Sequence, residues 1–112
     1  MRHLGLGSLR AIRLPKMTNK YQVGYMAERR ARQILEFQNY LVIRSAGSKG
    51  PFDLVGIALS TFKLVQVKVC PFGKVPAMNK LKIELKEILV PPNCQKELWI
   101  WEKKRGFHYF KI

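Results

Sequence analysis

Acidic residues are scarce in this 112-residue chain, and their positions are the first guide to its chemistry. Seven Asp and Glu stand against 21 Lys and Arg. Most of the acids lie among lysines or on polar faces, where solvation accounts for them: Glu36, Glu84, Glu87, Glu97 and Glu102. Glu28 and Asp53 do not fit that description, so they are the candidates for chemistry.

Glu28 lies in a segment whose apolar residues recur every three or four positions, which predicts an amphipathic helix. It falls at the edge of the apolar stripe, beside Ala31 and Leu35. A carboxylate against a core is costly unless a cation pairs with it. That cation is either a metal ion or an arginine, and the sequence leaves both interpretations open.

Asp53 opens an apolar strand, where an isolated Asp is usually a turn former. The following strand favours another role, because its alternation places Gln66 and Lys68 on one face and valines on the other. A hairpin of the two strands brings Asp53 close to Gln66, provided that the ladder has no bulge. If the first helix packs on the same face, Glu28 joins the cluster.

Such a cluster has a defined chemical use. Carboxylate and amide oxygens suit a hard cation such as Mg²⁺. A nearby ammonium group can orient a water molecule or stabilise a pentacovalent phosphate. Glu28, Asp53, Gln66 and Lys68 therefore predict metal-assisted chemistry on a phosphate ester.

Periodicity predicts a single α/β (α+β) domain, with elements in the order α-β-β-β-α-β-β and helices packed on a sheet. The predicted segments are helices over 21–37 and 78–89, and strands over 41–44, 52–59, 62–69, 97–102 and 107–112. Residues 1–18 carry four basic residues and no acid, which predicts a basic, flexible arm or a leader without function. Residues 19–112 then form the folded domain.

The charge balance points to a polyanionic partner. A formal net charge of +14 and a pI near 10.3 imply strong self-repulsion unless such a partner binds. Nucleic acid fits first and an anionic membrane surface second, while a merely solubilising surface would mix both signs. No apolar run approaches the roughly 18 residues of a membrane span.

Cysteine and histidine offer no metal site of their own. Cys70 and Cys94 lack CxxC spacing, so they are interpreted as free thiols in a reducing, intracellular (cytoplasmic) compartment. His3 and His108 have no histidine, cysteine or carboxylate at ligand spacing, and are interpreted as a tail and a strand histidine.

Three motifs resemble the archaeal-type Holliday junction resolvases of the PD-(D/E)xK nuclease superfamily, over about residues 20–70. They are Gly24-x-x-x-Glu28-Arg29, then Arg44-Ser45-Ala46-Gly47-Ser48-x-Gly50-Pro51-x-Asp53-Leu54-Val55, and then Val65-Gln66-Val67-Lys68. The resemblance implies a restriction-endonuclease-like fold with a central mixed sheet. It also implies a homodimeric endonuclease that cuts four-way DNA junctions in recombination and repair with Mg²⁺ or Mn²⁺.

The same resemblance assigns roles by position. Glu28, Asp53 and Gln66 would hold the metal, Lys68 would assist the attacking water, and Ser48 would lie in a mobile loop that contributes to cleavage. Further expected contacts to DNA come from Arg29, Arg30, Arg32, Arg44, Ser45 and Lys49. The family has Glu where this chain has Gln66, which removes one negative charge and lowers the expected metal affinity.

Two alternatives remain beside the resolvase hypothesis. One is a nicking, repair or restriction-type endonuclease of the same fold. The other is a non-catalytic basic protein that binds nucleic acid, which the net charge supports equally well. For the dimer, candidate surfaces are the predicted helix 78–89 and the aromatic strands, although most of those aromatics are expected in the core: Trp99, Trp101, Phe107, Tyr109 and Phe110.

Overall fold

A five-stranded sheet with one helix on each face forms the body of the protein. The computed structural model describes residues 20–45 and 50–112, so the predicted arm over 1–18 lies outside the described residues. The elements are α1 (Lys20–Phe37), β1 (Leu41–Arg44), β2 (Leu54–Ile57), β3 (Phe62–Cys70), α2 (Asn79–Lys86), β4 (Cys94–Glu102) and β5 (Gly106–Lys111). This order confirms the predicted α-β-β-β-α-β-β arrangement.

The sheet is mixed, with its strands in sequence order from β1 to β5. β1, β2 and β3 pair antiparallel, as do β4 and β5, whereas β3 and β4 run parallel. A parallel pair needs a long crossover, and α2 lies in the connection between these two strands. The parallel step therefore divides the sheet into two antiparallel halves.

α1 covers one face of the sheet. Its residues Ala27, Ala31 and Leu35 are fully buried, and the last two pack against Val65 and Trp99. The helix ends in a left-handed residue, Asn39, whose φ is 70°. The following N–H groups return to the carbonyls of the last turn, which satisfies them and turns the chain into β1.

α2 covers the opposite face, since its buried Leu85 packs against Leu98 and Ile100, the neighbours of Trp99 on β4. It is shorter than the predicted helix over 78–89. The Lys96 ammonium donates to the carbonyls of Leu85, Lys86 and Ile88 at 2.8, 3.0 and 2.6 Å, and so ends the helix early.

Other boundaries also differ from the prediction. A 3₁₀ turn over Val75–Met78, with a proline in its first turn, replaces part of the expected loop. β2 is shorter than the predicted 52–59, and β4 begins three residues before the predicted 97. Cys70 and Cys94 are free thiols, as predicted. In the part of the chain that the structure describes, no helix is both long and apolar enough to span a bilayer.

Candidate active site

Asp53 and Gln66 meet at the start of β2. The Gln66 side-chain amide donates from Nε2 to Asp53 Oδ2 at 3.0 Å, and the Val67 backbone N–H donates to the same oxygen at 2.8 Å. The predicted proximity of these two side chains is therefore confirmed. The two donors also fix the orientation of the carboxylate.

The ladder is irregular at Asp53, whereas the sequence pattern had assumed a ladder without a bulge. The Asp53 N–H donates to the Val65 carbonyl at 2.8 Å, although Val65 pairs with Leu54 in the β2–β3 register. Two residues of one strand thus oppose one residue of the other, as in a β-bulge. The Asp53 side chain receives the N–H of Val67, while the Asp53 carbonyl accepts the N–H of Ser45 on β1.

The position of α1 corrects a second expectation. The helix packs on the face of β3 that carries Val65 and Val67, not on the face of Gln66 and Lys68, because its small apolar residues need an apolar surface. Glu28 nevertheless acts on Asp53 through its charge. Burial, followed by the like charge of Glu28, raises the pKa of Asp53, and the Val67 N–H opposes them.

Glu28 is paired with an arginine. Its Oε1 accepts a hydrogen bond from Arg44 Nε, and its side chain is 15% exposed whereas that of Arg44 is 48% exposed. This hydrogen bond, with the carboxylate's charge, raises the pKa of Arg44. The arginine interpretation of Glu28 is therefore observed, and it leaves the second carboxylate oxygen for another cation.

Lys68 is exposed on β3, and its charge lowers the pKa of Asp53. It thus lies within electrostatic reach of the carboxylate. Lys68 lies exposed on β3, on the same strand as Gln66. Arg44 lies on β1 and is paired with Glu28. Arg44 and Lys68 thus balance the charges of Glu28 and Asp53, so these four groups carry little net charge together.

Beside Glu28, α1 and β1 enclose a cleft of about 160 Å³. It is lined by Tyr25, Glu28, Arg29, Arg32, Arg44 and Leu54. Arg32 pairs with Glu36 at 3.2 Å, so part of its charge is already neutralised. Tyr25 was not among the predicted site residues, although its place one turn before Glu28 on the same helix face could have indicated it.

The remaining predicted DNA contacts have different placements. The Ser45 N–H donates to the Asp53 carbonyl at 2.9 Å, which ties β1 to the start of β2. Arg30 lies near Tyr109, whose pKa its charge lowers against the larger, opposite effect of burial. Ser48 and Lys49 lie outside the described residues.

Comparison with known proteins gives a match in structure but none in sequence. No protein-family model matches the chain, and no curated protein matches its sequence. Among solved structures, the chain is similar to Hjc, a Holliday junction resolvase from the archaeal hyperthermophile Archaeoglobus fulgidus. The TM-score is 0.53 at 17% identity, over 80% of this chain and 72% of that one.

The chain has the fold of an archaeal Holliday junction resolvase. This confirms the predicted fold class, a mixed sheet flanked by helices. At that identity the likeness concerns the resolvase fold alone. What the fold is used for depends on the residues that it brings together.

The donor set of the cluster fits a hard divalent cation. Asp53 and Glu28 supply carboxylate oxygens and Gln66 an amide oxygen, the ligand types that such ions bind. Burial makes the charge of Asp53 unfavourable, which a cation would relieve. In residues 20–45 and 50–112, no three His, Cys, Asp or Glu residues are grouped to hold a metal, so a cation here would need the amide as its third ligand.

Glu97 was wrongly interpreted as solvated, since it is only 4% exposed. Its carboxylate accepts hydrogen bonds from the Trp99 indole N–H and from Gln95 Nε2, both at 2.8 Å. Lys63 lies 3.5 Å away and balances its charge. These donors belong to its own strand and to β3, and they offset the cost of burying the carboxylate.

Glu102 was also wrongly interpreted as solvated, because it is 2% exposed. The Gly73 N–H donates to its Oε2 at 2.6 Å, and His108 Nε2 lies 2.6 Å from its Oε1. His108 therefore does have a carboxylate partner, across the β4–β5 hairpin. Among the aromatics, Trp99 is in the core as expected, whereas Tyr109 is 54% exposed.

Proposed function

We propose that this chain is a metal-dependent, structure-selective endonuclease that cuts four-way DNA junctions. The observation that carries the proposal is the contact of Asp53 with Gln66, within reach of the charge of Glu28, in a chain with a resolvase fold. The net charge of +14 supports a DNA substrate. Hjc of Archaeoglobus fulgidus, with the same fold, is a Holliday junction resolvase.

In this proposal, Asp53, Glu28 and the Gln66 amide oxygen would hold Mg²⁺ or Mn²⁺. Such a cation would supply Lewis-acid polarisation of the phosphodiester and a water molecule of lowered pKa. The Val67 N–H and Gln66 Nε2 keep the Asp53 carboxylate in one orientation. Because the Asp53 carboxylate is already oriented, less conformational entropy would be lost when it binds a cation.

The basic residues around the cluster act on the phosphate. Lys68, exposed beside Asp53, stabilises the charge that develops on the phosphoryl oxygens. Arg29 and Arg44 line the cleft next to Glu28 and hold the backbone of the strand to be cut. A phosphate of bound DNA would compete with Glu28 for the Arg44 guanidinium, which would leave both Glu28 oxygens for a cation.

The active form is a homodimer that works inside the cell on DNA. Cutting two strands related by two-fold symmetry needs two sites related in the same way. Tyr109 on β5 is an exposed large side chain on one of the aromatic strands predicted as candidate dimer surfaces. Burying it against a second copy would remove apolar area from water.

The test is a cleavage assay on a synthetic four-way junction with Mg²⁺ and with EDTA. We expect Asp53→Asn to lower the cleavage rate by about 100-fold or more, since it removes one ligand charge, while junction affinity stays within about twofold. Glu84→Gln, an exposed acid on α2, is the matched control and should cut like the wild type. Undiminished cleavage by Asp53→Asn would contradict the site.

A panel of linear, nicked, flapped and four-way DNA separates the proposal from its alternatives. Preference for the four-way junction supports a resolvase. Equal cutting of linear duplex indicates a nicking or restriction-type enzyme instead. Junction binding without any product, at every Mg²⁺ and Mn²⁺ concentration, indicates the non-catalytic DNA-binding protein that the near-neutral cluster also allows.

A further inference from the structure

A basic groove lies on the α2 side of the sheet, away from Asp53 and Glu28. It has a volume of about 350 Å³ between α2 and the end of β5. Its lining consists of Asn79, Lys82, Ile83, Lys86, Lys111 and Ile112. Three of these six side chains carry an ammonium group and none carries a carboxylate, so the groove is a site of concentrated positive charge.

The groove lysines have no acidic partner in the described residues. The ion pairs found there use Arg32, Arg44, Lys63, Arg105 and His108, and none uses Lys82, Lys86 or Lys111. Glu84 is on the same helix, but it lies about 160° around the axis from both Lys82 and Lys86. Glu87 directly follows Lys86, but it forms no ion pair with the groove lysines in the described residues. A bound polyanion would therefore relieve the repulsion among the three ammonium groups.

One of the three ammonium groups is held in place. Lys82 Nζ lies 3.6 Å from the centroid of the Phe110 ring, which attracts the cation and limits its motion. Lys86 follows one turn later on the same face of α2, and Lys111 comes from β5. Charges spaced along an open groove fit a chain of phosphates better than a single ion.

The apolar part of the lining limits what can be recognised. Ile83 is 60% exposed and, with Ile112, offers no hydrogen-bonding group from its side chain. The two isoleucines can contact sugars but cannot hydrogen-bond to base edges, and the ammonium groups suit phosphates. The groove therefore fits the backbone of DNA.

We propose that this groove binds the phosphate backbone of a second DNA segment, so that one chain holds DNA at two places along its sheet, the start of β2 and the β5 edge. The partner chemistry rests on the proposed function, in which DNA is the substrate. The site itself lies apart from the acid cluster and does not require cleavage. A branched substrate, whose arms leave the branch point in different directions, offers a second segment to the α2 face.

The test compares two triple variants of the full chain in EDTA, where cutting plays no part. Lys82→Gln/Lys86→Gln/Lys111→Gln removes the groove charges. Lys74→Gln/Lys80→Gln/Lys103→Gln removes three other exposed charges and is the matched control. Fluorescence anisotropy with a labelled four-way junction gives the affinity as a function of salt, and thermal melting checks that each variant folds.

We expect the slope of log affinity against log salt to become less negative by about 2 to 3 in the groove variant. Each phosphate that is no longer neutralised accounts for about 0.9 of that change. The affinity of the groove variant at about 0.1 M salt should fall by more than about tenfold, whereas the control slope changes by less than about 1. The Lys82→Arg/Lys86→Arg/Lys111→Arg variant keeps the charge and should bind like the wild type. Equal losses of affinity in the two Gln variants, or an unchanged slope in the groove variant, would overturn the proposal.

Acetylation of lysines, read by mass spectrometry with and without the junction, locates the bound DNA directly. Lys82, Lys86 and Lys111 should be protected by DNA, and Lys74 and Lys80 should not. Protection of the groove lysines by phosphatidylserine–phosphatidylcholine vesicles but not by DNA would mean a membrane partner and would overturn the proposal. A chain that binds DNA through the groove but cuts none contradicts the proposed function and leaves this inference standing.

Discussion

Asp53 and Glu102 are two carboxylates beside the same strand, β3, and their surroundings have opposite effects. Asp53 lies at the irregular start of β2 next to Gln66, and burial raises its pKa. Glu102 is paired in register with Cys70, and the Gly73 N–H, with help from His108 and Arg105, lowers its pKa. The fold thus stabilises the ionised form of one acid and opposes that of the other.

The difference separates a structural acid from a candidate catalytic one. Glu102 ties the loop after β3 to the β4–β5 hairpin, and Phe72 in that loop lies under the Arg105 guanidinium at 4.6 Å. Asp53 loses water without full compensation and also faces the charge of Glu28. A carboxylate in that condition is suited to hold a cation, because a bound cation would stabilise the negative charge that burial and Glu28 disfavour.

The largest effect on stability is expected from Glu102→Gln. The substitution replaces an ionised acceptor by a neutral one, and hydrogen bonds to ionised groups are about twice as strong as neutral ones. We expect the melting temperature at neutral pH to fall by several degrees, measured by circular dichroism, with Glu84→Gln unchanged. The cleavage rate at a temperature where both proteins are folded should remain near that of the wild type.

The pH dependence of this loss follows from the lowered pKa of Glu102. The ionised carboxylate stabilises the fold above the pKa of the unfolded chain, about 4.3, and that contribution is lost as the pH falls through the folded pKa. The gap in melting temperature between wild type and Glu102→Gln should therefore close on acidification. If the difference in melting temperature persists or widens in acid, the pKa of Glu102 is not lowered by the fold, and the contrast with Asp53 is contradicted.

Asp53→Asn should have a smaller effect on stability and the opposite sign. Its raised pKa means that ionisation costs stability at neutral pH, so the neutral amide should raise the melting temperature slightly. The gain should shrink as the pH falls and vanish below the pKa of the unfolded chain, about 3.9, where Asp53 is protonated in both the folded and the unfolded chain. A loss of stability at pH 7 would show that Asp53, like Glu102, is a structural acid.

Much of the fold and part of the site follow from local patterns. The alternation in Leu64–Val69 and the short turn before it are enough to bring Asp53 to Gln66, and the order of elements follows from periodicity. The bulge at Asp53 and the packing side of α1 do not follow, because both depend on which surfaces meet in the folded chain. The charge of Glu28 acts on Asp53 in spite of these differences.

The buried acids and the basic groove could not be predicted in the same way. Glu102 is buried because a glycine N–H some 29 residues earlier and a histidine across the hairpin complete its hydrogen bonds. The groove joins α2 to β5, which are distant in sequence. Each of these features is a tertiary contact between residues whose types are ordinary for a polar surface.

The most direct measurement of the central claim, a metal site at Asp53, Gln66 and Glu28, is the Mg²⁺ dependence of junction cleavage by Gln66→Glu. The substitution restores a ligand charge, and cation affinity rises with the charge of the ligands. We predict that the Mg²⁺ concentration for half-maximal cleavage falls by about tenfold, the size of effect that changes around a metal commonly produce. An unchanged or higher half-maximal concentration would contradict the account.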